Sequence, residues 1–129
     1  MRFGYTIIYV TDVLSSLTFF ETAFGFSRKF IDPSGDYGEL DTGETTLSFA
    51  AHSLGTENFP NGYVSAESSA QPLGIEIAFI TDTVEIAHQN AILAGALEIR
   101  SPSKKPWGQI VSYVRCPDGT LIELCTPVS

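Results

Sequence analysis

Two glutamates interrupt strand-forming runs, and they are the side chains here best placed to do chemistry. Glu123 lies between Ile122 and Leu124, and Glu76 is the polar residue in the otherwise apolar run Ile75 to Ile80. Successive side chains along a strand point to opposite faces, so Glu123 faces away from its apolar neighbours. That face is either solvent or a pocket that needs a carboxylate. Trp107, flanked by Pro106 and Gly108, reads as a residue at a turned rim rather than inside a strand. Phe59 and Tyr63 lie in a long polar stretch; with Trp107, Tyr113, Tyr5, Tyr9 and Phe49 they could stack on a flat or cationic ligand. Phe20, Phe24 and Phe79 read as core. His52 and His88 are read as solvated surface residues. Cys116 and Cys125 are read as reduced thiols, because a hairpin between them holds the two sulfurs apart.

The elements that position these residues follow from periodicity. Thr6 to Val10 is a β-branched strand, and Asp12 can cap the helix that follows. From Val13 to Phe24, Leu14, Leu17, Phe20, Ala23 and Phe24 recur at helical steps, and Gly25 stops the helix. Strands are expected over Phe26 to Ile31, Tyr37 to Leu40 and Thr45 to Ala51, separated by Pro33-Ser34-Gly35-Asp36 and Asp41-Thr42-Gly43-Glu44 turns. His52 to Leu73, rich in Ser, Gly, Asn and Pro, reads as a covering loop or a linker. The pattern then repeats. Ile75 to Ile80 is a strand, and Thr81-Asp82 echoes Thr11-Asp12. Val84, Ala87, Ala91, Ile92 and Leu93 mark a second helix stopped by Gly95. Ala96 to Arg100 is a strand, Ser101 to Lys105 a polar turn, and Pro106 to Leu124 two strands around Pro117-Asp118-Gly119. The expectation is one domain over 1–129, with βαβββ modules at 1–51 and 74–129 joined by a loop at 52–73. Each module alone leaves a sheet face uncovered, which pairing would bury.

Composition removes several classes of function. At 129 residues with 43% apolar and 17% charged residues, the chain can bury a core and is not of disordered composition. A formal charge of −8 argues against a nucleic-acid partner, which needs a basic patch. It mildly favours cationic or neutral ligands. No apolar run approaches a membrane span, and the N-terminal residues show no signal-peptide pattern, so the expected location is cytoplasmic.

In order and spacing, several segments together resemble the vicinal oxygen chelate superfamily, which includes glyoxalase I, extradiol dioxygenases and bleomycin-resistance proteins. They are Tyr5 to Asp12, Phe19 to Phe26, Ile77 to Asp82, Ala94-Gly95-Ala96, Lys105 to Gly108 and Pro117 to Leu124. The resemblance implies an α+β fold in which two βαβββ modules form an incomplete barrel around a cleft, often in a homodimer. Enzymes of the superfamily hold a divalent metal with one ligand from the first and one from the last strand of each module. Carried over singly, those positions fall on Tyr5, Ser48, Glu76 and Glu123, and Glu123 alone has the usual residue. Alignment on Asp12 and Asp82 would instead pair Tyr5 with Ile75, so Glu76 is chosen for its polarity.

Phenol and serine hydroxyl are poor ligands near neutral pH, so the set reads as a degenerate metal site and no cofactor is expected. The expected function is a metal-free binding protein of glyoxalase/bleomycin-resistance type, acting as a homodimer. It would hold a cationic or aromatic small molecule in an acidic, aromatic cleft lined by Tyr5, Ser48, Phe59, Tyr63, Glu76, Trp107, Tyr113 and Glu123. The alternative is a metal-dependent lyase, isomerase or dioxygenase in which Glu76 and Glu123 are the catalytic candidates. Two carboxylates in one cleft repel, so one could gain a raised pKa and act as acid or base.

Overall fold

A computed structural model describes residues 1–128. The chain divides into two compact units, the first spanning Met1–Ala66 and the second beginning at Glu67. In the first unit the order is β1 (Tyr5–Val10), α1 (Val13–Phe24), β2 (Ser27–Ile31), β3 (Tyr37–Asp41), β4 (Thr46–Ala51) and α2 (His52–Asn58). Its sheet runs β1-β4-β3-β2, with β1 parallel to β4 and the other pairs antiparallel. In the second unit the order is β5 (Glu76–Ile80), α3 (Val84–Ala94), β6 (Leu97–Lys104), β7 (Ile110–Arg115) and β8 (Leu121–Cys125). Its sheet runs β5-β8-β7-β6, again with first strand parallel to last. The expected α+β class and the repeated βαβββ topology are therefore present. Among the described residues no helix is long and apolar enough to cross a membrane.

The helix ends behave as their residues dictate. Asp12 Oδ1 accepts from the Ser15 amide at 3.1 Å, which satisfies one orphan donor of α1. Gly25 closes α1 at φ 77°, a left-handed conformation that a Cβ would strain. The echo at Asp82 is displaced by one residue: Thr83 is the N-cap of α3, and the Thr81 hydroxyl accepts from the Thr83 amide.

Each helix buries one stripe against its sheet. In α1 the buried residues are Val13, Ser16, Leu17, Phe20 and Ala23, and Phe20 meets Phe49 of β4 with ring centroids 5.0 Å apart. In α3 they are Val84, His88 and Ala91, while Leu93 is exposed. The expectation that His88 is a solvated surface residue is therefore wrong. Residues 84, 88 and 91 are spaced by four and three, so the imidazole occupies the core stripe. One ring nitrogen lies 2.9 Å from Ser112 Oγ and the other 2.8 Å from Glu98 Oε2. Both polar atoms of the buried ring are thus partnered, as burial requires.

Two further expectations change. The start of the 52–73 stretch is not loop but α2, a short helix without an apolar stripe. It is steadied by the bond from Thr56 Oγ1 to the His52 carbonyl and by Tyr63 lying directly over Gly55. Strand β6 continues through Ser101 to Lys104, where a polar turn was expected. Its register shifts between Glu98 and Arg100 and again between Arg100 and Ser103, and such bulges erase the period-two signal.

Close packing of α1 on β3 depends on Gly38. A Cβ there would lie 2.6 Å from Leu17 Cδ1, in a fully buried side chain, and 3.3 Å from both Val13 Cγ1 and the Phe30 carbonyl. Gly38→Ala should therefore destabilise the fold by about 1–3 kcal/mol through overpacking. Gly74→Ala, with open space around it, should stay within about 0.5 kcal/mol of the parent. Urea unfolding of the two variants checks this, and equal midpoints would refute it.

Candidate functional site

The parallel pairing of β5 with β8 sets Ala78 opposite Glu123 and Glu76 opposite Leu121. Glu76 and Glu123 are thus diagonal neighbours on one face, within reach of each other's long side chains. It is the face away from α3, because Ser112, whose hydroxyl meets His88, alternates with Tyr113 along β7. Tyr113 stands opposite Glu123 and donates its phenol proton to Glu123 Oε1 at 2.8 Å. Arg100 is paired across from Tyr113 in β6. Arg115, two residues along β7, is committed to the backbone, donating to the carbonyls of Gly119, Ser69 and Ala70.

Electrostatics on this face follow from that crowding. The Glu76 carboxyl lies above its ordinary value of 4.5, first through partial desolvation and then through the charge and hydrogen bonding of Glu123. Tyr113 is pushed up to about 12, chiefly because its proton is held by Glu123. Cys125, on the same face of β8, is pushed up to about 11 by burial and by the Glu123 charge, which makes it a poor nucleophile. Cys116 and Cys125 are both free and buried, as expected of reduced thiols.

The matching face of the first unit has the same skeleton. β1 and β4 pair with Ile7 opposite Ser48, so Tyr5 lies diagonal to Ser48 as Glu76 lies diagonal to Glu123. This register, together with the equivalence of the Asp12 and Thr83 caps, decides for Glu76 over Ile75 as the counterpart of Tyr5. Ser48 is fully buried, and Tyr5 is largely exposed. Tyr37 Oη lies 2.7 Å from Glu39 Oε2 and 2.9 Å from Ser48 Oγ. A phenol has one proton; with it given to the carboxylate, the serine hydroxyl can donate to the phenol oxygen. Burial raises the Tyr37 pKa, with the Ser48 bond opposing and Glu39 reinforcing.

Tyr37 and Glu39 were not among the residues singled out from sequence. Their period-two spacing across Gly38, in a strand flanked by turns, was the available signal. Lys29 Nζ lies 3.9 Å from Glu39 Oε1, but its own side chain is mostly exposed and the pair adds little.

The aromatic candidates separate. Phe59 and Tyr63 join Tyr9 in a cluster with centroids 5.3 to 5.9 Å apart, so the rings pack on one another while Phe59 and Tyr63 each keep an exposed side. Asn58 Nδ2 donates to Tyr9 Oη, and a His52 ring nitrogen bonds Tyr63 Oη. Trp107 is 65% exposed on the turn before β7, where Gly108 takes φ 97°. Its indole donates to Gln109 Oε1, and Gln109 Nε2 donates to the Thr126 carbonyl, tying the turn to the end of β8.

A family model described as the Glyoxalase/Bleomycin resistance protein/Dioxygenase superfamily matches residues 2–124. The chain belongs to this superfamily. A glyoxalase-related enzyme from Fulvimarina pelagi has the same fold at TM-score 0.82 and 18% identity, covering 98% of this chain and 88% of its own. A glyoxalase/bleomycin resistance protein/dioxygenase family enzyme from Burkholderia phytofirmans PsJN matches over 100% of both chains, at TM-score 0.79 and 21% identity. A protein of unknown function from Agrobacterium tumefaciens str. C58 matches at TM-score 0.77 and 23% identity, over 98% of this chain and 94% of its own. No curated protein matches the chain.

The donor set fits the superfamily's metal poorly. Among the described residues no three His, Cys, Asp or Glu side chains are grouped to hold an ion. The four carried-over positions supply two carboxylates, a phenol and a buried hydroxyl already engaged with Tyr37.

Partial desolvation first, and then the charge and hydrogen bonding of Glu123, hold the Glu76 carboxyl pKa in the folded protein above its ordinary value. Below the ordinary carboxyl pKa of 4.5 the group is neutral whether the chain is folded or not, and nothing is lost. Above it the unfolded chain ionises more easily, so stability falls as pH rises through the elevated folded pKa. Glu76→Gln removes that loss. Its stability relative to wild type should rise by about 0.5 kcal/mol between about pH 4 and about pH 7, a small value because solvent screens an exposed group. Denaturant midpoints across that range check it; a difference that stays flat would refute the coupling.

Proposed function

We propose that this chain is a metal-free small-molecule-binding protein of the glyoxalase/bleomycin-resistance type, acting as a homodimer. Its ligand carries a cationic group, which engages the face of β5, β8 and β7. The observation that carries the reading is the placement of Glu76 and Glu123 on one sheet face, with Tyr113 donating to one of them. Two carboxylates with a single phenol donor between them have unused acceptor capacity, and a ligand cation with hydrogen-bond donors can use it. The exposed indole of Trp107 offers an aromatic surface for the flat part of a ligand. The chain's net charge of −8 favours approach of a cation.

The donor chemistry supports binding over metal catalysis, since phenol and serine replace the usual strong ligands. The Glu76–Glu123 pair also favours a second reading, in which Glu76 transfers a proton to or from a bound substrate. Geometry favours binding, because Glu76 stands on an exposed edge strand rather than in a water-excluded site.

Thermal melting with a panel of cationic, neutral and anionic aromatic compounds tests the proposal. Cationic members should raise the melting temperature by mass action, and Glu123→Gln should abolish the rise. Metal content is measured on the same preparations. Silence across the panel, or stoichiometric Zn, Ni, Mn or Fe that disappears in Glu123→Ala, would overturn it.

A further inference from the structure

We infer that the ligand of this face is a zwitterion, whose cationic group meets Glu123 and Glu76 on β8 and β5 and whose carboxylate meets Arg100 on β6. The inference rests on the cation-binding reading above and adds to it the anionic half of the ligand.

A β-bulge puts Arg100 on this face. In a regular strand residues 98 and 100 share one side, and Arg100 would stand beside Glu98, whose carboxylate bonds buried His88 on the α3 side. Instead Glu98 pairs with Val114 and Arg100 with Tyr113, consecutive residues of β7 whose side chains point to opposite faces. The extra residue, Ile99, thus turns the arginine away from Glu98 and onto the face of Tyr113 and Glu123.

The guanidinium is exposed, and it has no ion-pair or hydrogen-bond partner among the described residues. Acidic side chains outnumber basic ones 15 to 7 in this chain, so its lack of a partner does not reflect a shortage of acids. Arg28 is bonded to Glu21, and Arg115 is spent on backbone carbonyls. Lys104, the other cation of β6, pairs with Ile110 and so lies on the side of Ser112.

Across the sheet the face reads Arg100, Tyr113 and Glu123 in direct register, with Glu76 diagonal to Glu123 on the edge strand. Two strand spacings, roughly 10 Å between backbones, separate the arginine from Glu123. The Tyr113 phenol between them already gives its proton to Glu123 Oε1. A molecule with an amino group at one end and a carboxylate at the other pairs both charges. Its ammonium donates to the free carboxylate oxygens, and its carboxylate takes the forked N–H groups of the guanidinium. The net charge of −8 repels a simple anion. The carboxylate therefore adds affinity only when tethered to a cation that is already bound.

NMR titration of nitrogen-15-labelled full-length protein at low salt and near neutral pH tests this. The probes are para-(aminomethyl)benzoate, para-methylbenzylamine, which replaces the carboxylate by a methyl group, and para-methylbenzoate, which lacks the amine. The zwitterion should bind about fivefold tighter than para-methylbenzylamine, with shifts centred on β6, β7 and β8. In Arg100→Gln the two should bind equally, and Arg100→Lys should recover part of the difference. Because the ratio is taken within each protein, a general change in affinity does not disturb it. The lysine variant also keeps the test valid if the glutamine variant fails to fold.

Equal binding of the two amines by the wild type, or a preference for the zwitterion that survives Arg100→Gln, would overturn the zwitterion and leave cation binding intact. Failure of both amines to bind would overturn the cation-binding reading and this inference with it. Saturable binding of para-methylbenzoate alone would do the same and mark the face as an anion site.

Discussion

Parallel pairing of β5 with β8 is the constraint from which the chemistry of this protein follows. The α3 side of β8 carries Ile122 and Leu124, both buried, so alternation forces Glu123 onto the other face. Register with β5 then puts Glu76 diagonally beside it. A slip of one residue would drive Glu123 into the core and Ile122 out, a double cost that holds the register in place. The carboxyl pair is thus a by-product of burying two aliphatic side chains against a helix.

The two units use one skeleton to hold different polar groups. Each has a phenol bonded to a glutamate on the face away from its first helix: Tyr37 with Glu39 in one, Tyr113 with Glu123 in the other. A hydrogen bond to a charged acceptor contributes about 1.5–3 kcal/mol, and here it also orients the carboxylate. The strands that supply the partners differ. In the first unit the acid sits on β3 beside a buried serine; in the second it sits on β8 beside another acid. At equivalent places on the first and last strands, the first unit carries Tyr5 and Ser48 and the second carries Glu76 and Glu123, so the hydroxyls of one unit are carboxyls in the other.

The opposite side of the second sheet shows how polar groups are carried inside without cost. His88 has Ser112 on one nitrogen and Glu98 on the other, which joins α3 to β6 and β7. Ser112 and Tyr113 are consecutive residues of β7, so this strand serves a closed structural network on one face and the open acidic face on the other.

Much of this architecture was legible in the residues themselves. Periodicity located α1 and α3, Asp12 and Gly25 marked the ends of α1, and alternation around Glu123 separated its two faces, because these are local effects of backbone geometry. Non-local facts were not accessible in that way. The burial of His88 needed the orientation of α3 on the sheet, and its polarity hid it from a reading that counts apolar side chains. The bulges of β6 concealed a strand, and α2 has no apolar stripe to mark it, its contact with Tyr63 being made at Gly55. The importance of Glu39 emerged only when β3 and β4 were set in register. By itself the sequence determined two βαβββ units and a carboxylate on the last strand. Which residue lies beside that carboxylate was decided by tertiary structure, because Glu76 and Glu123 are 47 positions apart and only the parallel pairing of their strands brings the two carboxyls together.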